Sequence, residues 1–114
     1  MSDRELLELA AKAAGLVIGF SKTSPEQGRP YVWNDEKKKG RWWNPIENDG
    51  DALRLAVSLR LSPMMRTLGC DTTDLNGTAG AYEKWGGNPY AATRRAIVRA
   101  AAEIGRQMQE GGAA

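Results

Sequence analysis

The residues with most chemistry to offer are four tryptophans and the cations around them. Trp33, Trp42, Trp43 and Trp85 fall in a chain that is only 7% aromatic. Neighbouring side chains on a strand point to opposite faces, so Trp42 and Trp43 can both be buried only if both faces are covered. One reading is core packing. The other is a ring left at a surface, where it stacks on a base. The run Lys37-Lys38-Lys39-Gly40-Arg41 leads straight into this pair. As a solvated hairpin tip it needs no function; beside a stacking ring it becomes an anion-catching loop suited to a nucleotide or a nucleic acid strand. A third candidate is Gly86-Gly87-Asn88-Pro89, which opens a helix carrying Tyr90, Thr93, Arg94 and Arg95 in its early turns. Helix starts attract anions through free N–H groups and the dipole. The pattern fits neither the P-loop nor the dinucleotide fingerprint, and a turn with a helix cap accounts for it as well.

Ordinary enzyme chemistry is hard to build from what remains. The chain has no histidine, which removes Ser-His and Cys-His nucleophile pairs and the commonest general base. One cysteine, Cys70, cannot make a thiolate zinc site or an intrachain disulfide. The stretch Asp71 to Gly77 is rich in oxygen but lacks the acidic spacing and closing glutamate of a calcium loop. No catalytic residue, metal or cofactor is expected. Carboxylate-only chemistry stays open, without a spacing that selects a pair.

Three helices and two groups of strands must position these residues. The first helix opens on a Ser2/Glu5 capping box, carries the stripe Leu6, Leu9, Ala10 and Ala13, and ends at Gly15. The second begins near Asn48, buries Ala52, Leu55, Ala56 and Leu59, and is expected to stop at Pro63. The third starts at Asn88-Pro89, buries Ile97, Ala101, Ile104 and Met108, and ends at Gly111-Gly112. Leu16 to Phe20, Tyr31 to Trp33 and Arg41 to Trp43 read as strands, the last two as a hairpin around Asn34 to Gly40. Met64 to Cys70 and Ala79 to Trp85 form a second predicted pair around the polar loop Asp71 to Thr78. The simplest α+β arrangement is one antiparallel sheet covered by three helices, in the order helix-strands-helix-strands-helix. Residues 1–110 are expected to form a single domain, with 111–114 a flexible tail and no internal repeat in the sequence.

Composition sets the outer bounds. At 114 residues there is room for one core. A net charge of +2 is too weak for gripping duplex DNA through many phosphates. No apolar run approaches the roughly 20 residues that span a bilayer, and the N-terminus lacks signal-peptide order. The expected location is the cytoplasm.

The central block Trp43-Asn44-Pro45, Asn48-Asp49-Gly50-Asp51-Ala52-Leu53 resembles small tailed-phage proteins of the ABA-sandwich and NinX-like type. Arg95-Ala96-Ile97-Val98 and the opening Glu5-Leu6-Leu7-Glu8-Leu9-Ala10-Ala11 helix are in keeping with it. The resemblance implies a phage accessory protein, a sheet sandwiched by helices, and a place in the cytoplasm of an infected bacterium. It carries over no catalytic residues. Phage proteins of this size often counter host defence, which points to a sponge that sequesters a nucleotide immune signal of the cyclic oligonucleotide or cyclic ADP-ribose type. The residues expected to bind it are Arg41, Trp42, Trp43, Tyr90, Thr93, Arg94 and Arg95. A homo-oligomer stays open. The second expectation is an adaptor that holds a host protein or single-stranded nucleic acid on an aromatic, basic surface. A deep closed pocket would favour the sponge, and a flat aromatic patch rimmed by charge the adaptor.

Overall fold

The computed structural model describes the backbone of residues 1–112. Its elements are α1 (Asp3–Ala14), β1 (Val17–Phe20), β2 (Pro30–Asn34), β3 (Lys39–Trp42), α2 (Asp49–Leu59), β4 (Ser62–Met65), β5 (Gly69–Thr73), β6 (Gly80–Lys84) and α3 (Pro89–Gly112). The α+β class and the helix-strands-helix-strands-helix order stand as predicted. The strands, however, divide into two antiparallel meanders, β1-β2-β3 and β4-β5-β6, rather than one continuous sheet.

Local signals explain the helix boundaries. Ser2 accepts from the Glu5 N–H at 3.1 Å and gives its hydroxyl to the Glu5 carboxylate. Gly15 takes the left-handed conformation that ends α1. Asn48 caps α2 by accepting from the Asp51 N–H at 2.8 Å. Pro63 does not stop α2. The helix ends at Leu59 with Arg60 left-handed at φ 57°, and Pro63 sits in the edge strand β4, where a missing ladder donor is tolerated. The predicted strand Met64 to Cys70 turns at residues 66–68, so it supplies the second half of β4 and the start of β5. Part of the predicted polar loop then becomes the end of β5, and Asp74 closes the remainder by accepting from the Thr78 hydroxyl and the Thr78 and Ala79 N–H groups. The Thr78 hydroxyl is the main reason the Asp74 carboxyl lies below the usual aspartate range. Gly111 and Gly112 continue α3, and Ala113 and Ala114 of the expected tail lie outside the described residues.

The core is built on α3, which packs against α1, α2, β5 and β6. That explains why Ala96, Ile97, Val98, Ala100, Ala101 and Ala102 are all buried, where a one-sided helix would show a narrower stripe. Small residues let the helices approach closely: a Cβ added at Gly105 of α3 would overlap the Leu9 carbonyl of α1. The face of α1 is rotated from the expected stripe, with Leu6, Leu7, Ala10 and Ala11 buried while Leu9 is only partly so. Leu55 and Ile97 are buried as expected, Leu59 and Ile104 pack at the edge of the core, and Met108 is exposed.

A repeat does exist, in structure rather than in residue identity. Each half runs helix, left-handed cap, three-stranded meander. Leu6, Leu7, Ala10 and Ala11 are buried in the first helix, and Asp51, Ala52, Leu55 and Ala56 at the same spacing in the second. The Leu16 N–H bonds back to Ala11 and the Leu61 N–H to Ala56 in the same manner. The loops hide the correspondence. Residues 21–29 join β1 to β2, whereas only 66–68 join β4 to β5.

Candidate functional site

The first meander has one face inward and one open. Alternation along its strands puts Val32 inside, together with the partly buried Ile18 and Phe20. The other face carries two cross-strand rows, Val17–Trp33–Gly40 and Gly19–Tyr31–Trp42. Val17, Trp33 and Trp42 are 62%, 40% and 43% exposed. An exposed cluster of apolar side chains of this kind is a candidate interaction surface.

Two glycines give this face its shape. A Cβ on Gly19 would meet the Tyr31 ring at 2.5 Å, and one on Gly40 would meet Trp33 at 3.4 Å. Tyr31 therefore lies across β1, and no side chain from Gly40 separates the two indoles. Trp42 stands at 80° to Tyr31, with ring centroids 6.4 Å apart. The Arg29 guanidinium sits 4.2 Å from the Trp42 centroid, and Arg29 is itself held by Glu26 at 3.0 Å. The Trp33 indole N–H donates to Asp35 at 2.8 Å. The result is an open notch of about 480 Å³ lined by Ser21, Tyr31, Trp33, Gly40, Arg41 and Trp42. A second open cleft, of about 550 Å³, shares Trp33, Gly40 and Arg41 with it and runs past Lys37 and Lys39.

Charge is divided in a telling way. Among the described residues every arginine except Arg60 is ion-paired and no lysine is. Lys37, Lys38 and Lys39 are exposed on the hairpin beside the aromatic face, next to Asp35 and Glu36. Lys38 holds the left-handed turn at φ 53°, and the Asn34 side chain accepts from the Lys37 N–H.

The seven residues expected to bind a ligand separate into two groups. Trp42 is in the notch. Arg41 borders it, but its guanidinium turns to Asp51 at 3.3 Å. Trp43 faces the other way and is 2% exposed, a core residue. At the start of α3, Arg94 is a strap that donates to the Ile46 carbonyl at 2.8 Å and to Asp49 at 2.7 Å. Arg95 pairs with Asp3 of α1 at 3.1 Å. The Thr93 hydroxyl returns to the Pro89 carbonyl, and Tyr90 is exposed. The Ala91 N–H is taken by the Asn88 cap. Arg95 instead lines a cleft of about 370 Å³ with Arg99 and Arg106, whose charges are met by Glu83, Glu103 and Glu110.

Sequence reasoning weighed Trp33 with the other tryptophans, and Gly40 within the lysine run, but left both out of the expected ligand residues; it did not single out Tyr31, Arg29 or Gly19. The signal was present in the spacing Tyr31-Val32-Trp33 and Gly40-Arg41-Trp42, each of which sets two residues on one face. It also missed Asp51. This buried carboxylate accepts from the Asn44 N–H at 2.9 Å, Arg54 at 2.7 Å and Arg41 at 3.3 Å, tying the Trp43-Asn44-Pro45 turn and β3 to α2.

The notch can stack planar rings, and the lysines beside it can meet anions. Cys70 is buried in β5 with Sγ 3.6 Å from the Thr72 hydroxyl. No group of three metal-ligating side chains occurs among the described residues, nor any helix long and apolar enough to cross a membrane. Compared with protein-family models, curated proteins and solved structures, the chain matches none.

Proposed function

We propose that this is a non-enzymatic binding protein whose working surface is the open face of the first meander, and that it takes the unpaired bases of a single-stranded nucleic acid. The observation that supports this is the juxtaposition of Trp33, Tyr31 and Trp42 in one notch with three exposed lysines on the adjoining hairpin. Rings stack bases without regard to sequence, and lysines follow the backbone phosphates. An open notch suits a strand that continues beyond it. Sequestering a small nucleotide signal calls instead for a pocket that encloses it. Paired bases present no free face to stack, so a duplex is not expected to bind. On the resemblance of the Trp43-Asn44-Pro45 and Arg95-Ala96-Ile97-Val98 segments to phage accessory proteins, the setting is an infected bacterial cell.

Titration of short single-stranded DNA and RNA oligonucleotides, followed by tryptophan fluorescence, tests this. Binding should quench the fluorescence, and Trp42→Ala or Trp33→Ala should weaken it by about 1–3 kcal/mol, roughly five- to 150-fold, without lowering the melting temperature much. Tight binding of cyclic dinucleotides with no affinity for strands would overturn the strand reading and return the notch to signal sequestration. Binding of neither would end both.

A further inference from the structure

The structural repeat places a second aromatic ring where the first meander places Trp42. By strand register, Val17–Trp33–Gly40 corresponds to Ser62–Thr73–Gly80, and Gly19–Tyr31–Trp42 to Met64–Asp71–Tyr82. The correspondence extends to packing distances. A Cβ on Gly40 would lie 3.2 Å from the Val32 carbonyl oxygen and 3.4 Å from Trp33; one on Gly80 would lie 3.2 Å from the Thr72 carbonyl oxygen and 3.4 Å from Thr73. Tyr82 is 43% exposed, the same as Trp42, and Met64 in its row is 39% exposed. The Tyr82 ring lies over Gly69, whose added Cβ would be 2.8 Å from its Cζ and hydroxyl, just as Tyr31 lies over Gly19. A ring laid on a strand in this way keeps its opposite face for solvent.

The surroundings of Tyr82 suit a weaker version of the same ligand. Lys84 pairs with Gly69 and so shares this face, and among the described residues it has no ion-pair partner. Asp71 replaces Tyr31, and its charge is met by Arg66 at 3.3 Å. Thr73 replaces Trp33. One ring and one free cation thus stand where the first meander offers three rings and a lysine hairpin. We propose that the outer face of the second meander is a second, weaker binding face for an unpaired base, with Tyr82 as its stacking ring. This rests on the base-binding reading of the first face.

The test is a titration of isotope-labelled protein with a thymidine dinucleotide, read from amide chemical shifts. Wild-type protein should show two sets of shifts with different midpoints, the tighter around Tyr31, Trp33 and Trp42, the weaker around Gly69, Asp71 and Tyr82. The Trp33→Ala/Trp42→Ala variant should lose the first set and keep the second. Tyr82→Phe should retain the weaker site, and Tyr82→Leu should weaken it at least about fivefold. Shifts confined to the first face in the wild type, and none in the double tryptophan variant, would overturn the second site and leave the first intact. No shifts anywhere in the wild type would overturn the base-binding reading, and the second face with it. Should Tyr82→Leu fail to fold, the shift map of the double tryptophan variant decides alone.

Discussion

At the scale of single residues, adjacent positions have opposite duties, and alternation along a strand decides which. Trp42 and Trp43 share a residue type and a place in the chain, yet one is presented and the other buried. Arg94 was chemically plausible as an anion ligand, but its reach to Ile46 and Asp49 makes it part of the fold. Asp51 is the residue on which the site's geometry depends most from behind. Replacing it with alanine removes the acceptor of the Asn44 N–H and the partner of two arginines. The orphaned groups should cost about 1–3 kcal/mol, read as a shift of the urea midpoint. A loss under half a kcal/mol, on the order of a neutral surface change, would show that the Asp51 cluster is incidental. The notch itself could have been read from the sequence once register was known, because Tyr31/Trp33 and Gly40/Trp42 each sit two apart. What the sequence could not supply was the register that sets the two pairs beside each other.

At the scale of elements, the helices were the most legible part. Capping residues act over three or four positions, so Ser2, Gly15, Asn48 and Pro89 mark their boundaries locally. The strand pairing was legible where β-prone residues run together beside a charged loop, as at Tyr31-Val32-Trp33 in β2, and obscure where they do not. Nothing local distinguishes Met64-Met65 followed by a tight turn from a strand running on to Cys70, and Pro63 looks like a stop unless an edge strand is known to follow. The rotation of α1 and the broad buried face of α3 from Ala96 to Ala102 come from long-range packing, which no periodicity records. Gly105 shows how close that packing is. Gly105→Ala would normally favour a helix by up to about 1 kcal/mol. Here the added methyl meets the Leu9 backbone, and overpacking should instead destabilise the protein by about 1–3 kcal/mol. A thermal melt that rises rather than falls would show that α1 and α3 are not packed backbone to backbone.

At the scale of the whole molecule, a net charge of +2 conceals an uneven distribution. Among the described residues arginine charge is met within the chain, apart from Arg60, and lysine charge is left to the solvent, half of the lysines lying on one hairpin. If that hairpin meets backbone phosphates, replacing Lys37, Lys38 and Lys39 together with alanine should flatten the salt dependence of single-strand binding. The expected change is about 0.7 in log–log slope for each phosphate no longer neutralised, with the melting temperature nearly unchanged. An unaltered slope would mean that the hairpin plays no part in binding. The same division has a consequence for how the protein could be controlled. Guanidinium groups keep their charge under all ordinary conditions, whereas an ammonium loses it on acetylation. Because the ion pairs within the chain use the first kind and the hairpin carries the second, acetylation of Lys37, Lys38 and Lys39 would remove the hairpin's positive charge without touching those pairs.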